Sequence, residues 1–346
     1  LYTDLMRQWD IKGIAWVDDN IEHPIFAKLL VAAALLPTHP IDQIQEKDLL
    51  FEDPVQLSHA KTWLLPGRKV SVVFGSLSAG VLAVFNPAAG IALALQTSSI
   101  RYSSELYLEA VPLLTSLLSV LTYGIWVRKM EVSSGGRTWG WLGISSIMLG
   151  LTAASKYMYC IAGVAVLVHM LWRALRRRDI SWQERLLTIL GWGGLAFFVF
   201  FAADPILWPR PIRRLTETLQ YHITFASGSH VEKYHYPFWQ TLSWLSRSAF
   251  RPEVYAGDIT PISLDLPILL LAVLGLWRLA KEYPEFFIWL IIGVIFLMLW
   301  KAKWLQYVMV LMVPFCLSAG MGVKTLWSWV LRLPRGSIRS YSKRPQ

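Results

Sequence analysis

Residues Val70 to Ile100 read VSVVFGSLSAGVLAVFNPAAGIALALQTSSI. Such a run is too long for one straight membrane helix of about 20 residues and too short for two. Asn86-Pro87 interrupts it. The stretch therefore predicts one span followed by a half-helix at membrane depth, a geometry tolerated only where protein or a cavity covers the freed backbone groups. Working outward, a short apolar segment, Pro24 to Leu36, precedes it, followed by the polar stretch Thr38 to Lys69. Further apolar segments follow at Leu106 to Val127, Trp139 to Ala153, Tyr157 to Trp172, Leu186 to Ala203, Ile268 to Leu279, Phe286 to Trp300 and Leu305 to Val330. The expected fold is an all-α polytopic membrane bundle of about nine spans, with an outer loop region of short juxtamembrane helices.

Composition agrees. The 346 residues are 55% hydrophobic and 16% charged, against roughly 45–50% and 25% in soluble domains. Mean hydropathy is +0.43, and the 18 tryptophans suit the interface between hydrocarbon and headgroup. This argues against a soluble enzyme. Because successive spans share one bundle, a single membrane unit is expected rather than a string of globules. Cys160 and Cys316 lie in apolar runs and read as packing residues, without a disulfide framework.

The net charge of +10 is mostly a topology signal. Lys and Arg in short loops favour the cytoplasm. Arg128-Lys129 with Arg137, Arg173 to Arg178 with Arg185, Arg278 with Lys281, and the tail Arg332 to Arg344 form four such clusters. Lys61, Arg68 and Lys69 are expected to join them. Nucleic acid is accordingly not the expected partner. With Val70 to Ile100 crossing once, an even number of crossings separates each of the four clusters from the next. The same parity puts residues 1–23, the turn Ser98 to Glu105, the Ser155-Lys156 junction, the segment Asp204 to Pro261 and the Lys301 to Lys303 junction on the opposite side. The predicted layout is an outer-loop remnant at 1–23, an N-terminal transmembrane module at 24–205, an extracytoplasmic loop at 206–262, C-terminal transmembrane helices at 263–331 and a basic cytoplasmic tail at 332–346. With Leu1 outside and no signal peptide ahead of it, a first span is expected to be missing from this sequence.

Polar residues with chemical potential crowd the outer side. Glu22 and His23 precede Pro24, with Lys28 close behind. Ionisable groups at that depth are functional by default, against the simpler reading of a cap at His23 and a snorkelling lysine. Arg101, Glu105 and Glu109 follow, the two glutamates at helical i, i+4 spacing; a plain Arg101 to Glu105 ion pair is the alternative. Lys156, between two apolar helices, suits a lipid phosphate or simple snorkelling. Asp204-Pro205 ends a span, and Arg210, Arg213 and Arg214 beyond it suit either a phosphate or lipid headgroups. His222, His230 and His235 match no compact metal spacing. Lys301, Lys303 and Tyr307 open the last span as a phosphate-facing trio or as an interfacial anchor.

Glu22 to Leu30, EHPIFAKLL, resembles the His-Pro-Pro-Leu-x-Lys segment of C-type (GT-C) glycosyltransferases that use polyprenyl-phosphate sugars, such as protein O-mannosyltransferases and lipid A aminoarabinose transferases. Gly67-Arg68 through Gly75, Gly150 to Tyr157, Asp204 to Trp208 with Arg214-Leu215, and Lys303 to Gly320 resemble later family motifs in the same order. Ile25 stands where the family has its second proline, and His23 where the aminoarabinose transferases have lysine. The family's Asp-Glu base precedes the His-Pro segment, which places it upstream of Leu1.

The resemblance implies an inverting transfer of a sugar from a polyprenyl-phosphate carrier to a protein, lipid or glycan acceptor. The expected localisation is the extracytoplasmic side of a prokaryotic plasma membrane. It implies donor-phosphate contacts at Lys156, Lys301, Lys303, Tyr307 and Arg101. Glu22, His23 and Glu105 support catalysis, and Lys28, Glu109 and Asp204 line the site. No cofactor is required, although a divalent metal at Glu22, Glu105 or Glu109 is compatible with the residues. Two other classes stay open: a non-catalytic subunit of a larger membrane complex that keeps the fold, and a secondary transporter, which the lack of an internal repeat disfavours.

Overall fold

The computed structural model describes residues 23–37, 54–132, 138–176, 181–246 and 263–332, with side chains excepted at 54–64, 132, 230 and 332. Among the described residues there are helices and no strands. Five stretches are long and apolar enough to cross a membrane: Leu65–Phe85, Ala110–Glu131, Tyr157–Arg176, Trp182–Ala203 and Leu305–Leu331. Phe26–Leu35 and Pro284–Leu299 are shorter apolar helices. The all-helical expectation holds, and the architecture is that of a helical membrane protein.

In chain order the helices are α1 (Phe26–Leu35), α2 (Pro54–Phe85), α3 (Pro87–Leu95), α4 (Thr97–Ser104), α5 (Ala110–Val132), α6 (Trp139–Ser155), α7 (Ile161–Arg176) and α8 (Trp182–Ala203). Then come α9 (Pro211–Ala226), α10 (Ser229–Glu232), α11 (Gln240–Ser246), α12 (Asp265–Glu282), α13 (Pro284–Leu299) and α14 (Met312–Arg332). Short 3₁₀ turns at Tyr157–Cys160, Pro205–Leu207 and Leu305–Leu311 lead into α7, α9 and α14.

The stretch 70–100 folds differently from its sequence reading. Asn86 ends α2, and its Oδ1 accepts the Ala89 N–H at 3.1 Å to cap α3. From there the chain doubles back along α2. A Cβ on Gly90 would collide with Ala83, one on Gly75 with Ser103, and one on Gly67 would lie 2.8 Å from Leu106. Ser71 Oγ donates to the Tyr107 carbonyl at 3.3 Å. Helices α3 and α4 together thus make a full return pass rather than a half-helix. They are broken at Gln96, whose Oε1 accepts the Ser99 N–H at 2.8 Å. The break frees the Thr97 N–H, which Asp265 Oδ1 accepts at 2.9 Å. A buried carboxylate thereby meets the positive end of α4.

One consequence corrects the topology. Arg68 and Lys69 lie at the end of the bundle that holds Leu106 and Tyr107, not at the end that holds the other basic clusters; the Lys61 side chain lies outside those described. Helix α1 also stays at this end. Its Val31 would be 3.2 Å from a Cβ on Gly67, and ten residues rise only about 15 Å.

The other basic clusters share the opposite end. Arg128 bonds Glu285 at 3.2 Å, Arg173 bonds Glu131 at 2.7 Å, and Arg278 donates to Ser328 Oγ at 3.3 Å. Arg137, Arg177, Arg178 and the tail beyond 332 lie outside the described residues.

The core sits around α5, α14 and the 3₁₀ turn before α14, where Leu113, Leu117, Val120, Leu311, Val313 and Leu317 are sealed. Helices α12 and α14 approach closely through Gly275 and Gly322, where a Cβ would run into backbone carbonyls, as small residues permit in membrane bundles. Helix α8 instead turns Phe197 and Phe198 outward, the sign of a lipid-facing surface rather than a water-facing one. Asn86→Ala removes the cap at the turn-back. It should cost about 1 kcal/mol, measured as a lower unfolding midpoint in detergent; an unchanged midpoint would show that the cap does not hold the turn.

Candidate functional site

Helix α6 stops at Ser155 because Lys156 turns extended, with φ −164° and ψ 118°. The following 3₁₀ turn places residues three apart on one side. Lys156 and Tyr159 therefore point the same way, into the bundle. The Lys156 ammonium donates to Glu109 Oε1, and Tyr159 Oη donates to Glu109 Oε2 at 2.8 Å. Lys156 and Glu109 are both sealed from solvent. Nζ also stands 5.8 Å from the centre of the Tyr307 ring. A buried ion pair with both carboxylate oxygens bonded is the arrangement that makes such a pair tolerable.

Tyr157 points elsewhere. It shares a side-chain hydrogen bond with Thr218, and its ring lies 6.3 Å from that of His222. His222 in turn lies 5.9 Å from the ring of His23. Here α1, the exit of α8 and the amphipathic α9 meet. His23, Tyr157, Asp204, Arg214 and Thr218 line one small pocket.

Asp204 follows the last residue of α8 and is 2% exposed. It accepts backbone hydrogen bonds from Ile25 and Ile206, with Lys28 close enough to act on it electrostatically. Its Oδ1 is buried without a hydrogen-bond partner. Burial pushes the Asp204 carboxyl up to about 7, only partly opposed by those N–H groups and by the Lys28 charge. The His-Pro segment and the Asp-Pro exit, far apart in sequence, are thus one local structure.

Other expected residues fall into place less simply. Glu105 and Glu109 do not share a helical face: α4 ends at Ser104, α5 begins at Ala110, and the chain between them turns, with the Tyr107 N–H donating to the Glu105 carbonyl at 2.9 Å. Glu105 pairs with Arg101 at 3.4 Å, the simple ion pair, while Glu109 turns inward to Lys156. The Lys303 ammonium donates to the carbonyls of Leu297, Met298 and Trp300. These are orphan acceptors at the end of α13, so all three of its N–H groups go to capping that helix.

Lys301 is exposed and lines a cavity of about 460 Å³ with Trp304, Tyr234, His235 and Tyr236. The Tyr234 and Tyr236 rings stack at 5.5 Å, and His235 bridges them in a left-handed conformation, φ 47°. Arg213 and Arg214 pair with Glu217 at 2.6 and 3.5 Å. Glu22 lies outside the described residues. Among those described, no group of three or more His, Cys, Asp or Glu could hold a metal ion.

Sequence reasoning missed Tyr159 and Thr218. The first is signalled by its i+3 spacing from Lys156, had a 3₁₀ turn been assumed there. The second has no local signal, because its partner, Tyr157, is 61 residues away (218 − 157). Comparison with known proteins adds no kinship: no family model, no curated protein and no solved structure matches the chain.

Proposed function

We propose that the chain is a membrane glycosyltransferase that moves a sugar from a polyprenyl-phosphate carrier to an acceptor on the extracytoplasmic side. One observation carries this reading. His23, Lys28, Arg101, Glu105, Glu109, Lys156, Asp204 and Lys301, drawn from segments spread over most of the chain, collect at one end of the bundle, opposite the basic clusters. Positive charge marks the cytoplasmic end, so the polar end faces outward.

The reading takes nine crossings of a GT-C-like bundle: α2, the α3–α4 return, α5 to α8, and α12 to α14. In a single displacement, the acceptor hydroxyl or amine attacks the anomeric carbon. The bond to the carrier phosphate breaks, and its electrons leave with the phosphate oxygen. A carboxylate takes the acceptor proton; Asp204, whose buried Oδ1 has no hydrogen-bond partner and whose carboxyl is pushed up to about 7, is suited to that exchange. Lys301 supplies positive charge for the leaving phosphate, while Lys303 fixes the end of the helix beside it.

The test is release of free polyprenyl phosphate from a panel of polyprenyl-phosphate sugars by the purified protein in liposomes supplied with hydroxyl and amine acceptors. Lys301→Ala should lower kcat/KM about tenfold, the loss of roughly 1.4 kcal/mol of transition-state stabilisation, with most of the fall in kcat. A second reading, a non-catalytic membrane subunit, draws on the internal partners that occupy both Lys156 and Lys303. It predicts no release from any donor and stoichiometric co-purification of a partner chain.

A further inference from the structure

A cavity of about 590 Å³ lies at the opposite end of the bundle, between α5, α7 and α8, where the transfer chemistry has no use for it. Its wall is largely apolar, with Val127, Met130 and Met170, and Arg173, Arg185 and Glu184 stand at its rim. Leu187 at its edge is 68% exposed, so the cavity opens beside the apolar outer surface of α8.

Its polar groups are mostly donors. Trp126 Nε1 is buried without a hydrogen-bond partner. Arg173 gives one N–H to Glu131 at 2.7 Å, which leaves the rest of a five-donor fork. Arg185 donates to the Ala174 carbonyl. Glu184, the one acid of the lining, is engaged at the start of α8, where it accepts the Ser181 N–H at 3.3 Å in a capping box. A donor-rich rim above an apolar wall fits a ligand rich in acceptors that carries a hydrocarbon tail.

We propose that this cavity binds one anionic phospholipid, its phosphodiester between Arg173 and Arg185 and its acyl chain along Val127, Met130 and Met170. Basic pockets between membrane helices on the cytoplasmic side suit such headgroups. Arg128, Lys129 and Arg176 at the same end disfavour a headgroup that carries its own cation. The proposal does not depend on the transferase reading.

The experiment is native mass spectrometry of the full chain released from nanodiscs of equimolar phosphatidylglycerol and phosphatidylcholine. One phosphatidylglycerol should be retained with a preference of about tenfold or more. Arg173→Gln with Arg185→Gln should bring that preference close to unity. Trp126→Phe keeps an aromatic ring while removing the indole N–H and should lower retention several-fold, which keeps the test open where the double variant does not fold. Ala174→Phe should expel the lipid with every charge in place. Arg278→Gln and Lys281→Gln, at the same end on α12, should leave retention unchanged. Equal retention of phosphatidylcholine, an equal loss in the α12 variants, or displacement of the lipid by millimolar inorganic phosphate would each overturn the proposal.

Discussion

Lys156→Met is expected to lower the unfolding free energy by about 3–5 kcal/mol, the usual cost of stranding one partner of a buried ion pair. The stranded group is Glu109, which would keep only the Tyr159 hydroxyl. Glu109→Leu should cost a similar amount by leaving the Lys156 ammonium enclosed without its counter-charge. The double variant should recover most of the loss, because two apolar side chains have no charge to desolvate. A double-mutant cycle on unfolding midpoints in detergent measures this coupling. Additive losses would mean that the two charges do not interact as the geometry requires.

The double variant also separates structure from chemistry. If the pair only holds the junction together, a well-folded double variant should transfer sugar at the normal rate. If the pair also takes part in the proposed transfer, its turnover should fall by at least about tenfold, roughly 1.4 kcal/mol of lost transition-state stabilisation. The singles cannot make this distinction, since instability alone would lower their apparent activity.

How much of this was legible in the sequence depended on whether a side chain's partner was near it along the chain. Long apolar segments such as Ala110–Glu131 and Trp182–Ala203 declare themselves, because hydropathy is a local property. The return pass α3–α4 does not. Gln96, Ser98 and Ser99 give it the look of a surface turn, yet all three are buried. The hydrogen bonds that make burial tolerable come from Gln96 itself and from Asp265, 168 residues after Thr97. The false i, i+4 pairing of Glu105 with Glu109 had an available warning. Pro112 belongs in the first turn of a helix, which implies a helix start near Ala110 and hence a break between the two glutamates. Polar outliers were easy to mark as unusual; which of them would meet was a property of the packing.

Asp204 ties stability to chemistry most directly, because its buried carboxyl is pushed up to about 7 from the ordinary carboxylate value. The folded protein then holds a proton that the unfolded chain releases near pH 4. Stability from this group is therefore fully present in acid, falls as pH rises from about 4 to about 7, and is flat above that. A shift of about three units corresponds to as much as about 4 kcal/mol. Asp204→Asn removes the charge while keeping an oxygen to accept the Ile25 and Ile206 N–H groups. It should flatten this dependence, leaving the variant more stable than the parent at pH 8 and no more stable near pH 4. Turnover should move the other way, falling by about 10²–10⁴ if Asp204 takes the acceptor proton, while the parent's kcat/KM should rise with pH through about 7. Lys28→Met, by removing the positive charge that favours the ionised carboxylate, should move that limb to higher pH. A variant at Asp204 that is neither stabilised at pH 8 nor impaired in transfer would return the residue to the role of a buried turn. A stabilised but inactive one would mean that the protein gives up stability at neutral pH to keep an ionisable carboxyl where α1, α8 and α9 meet.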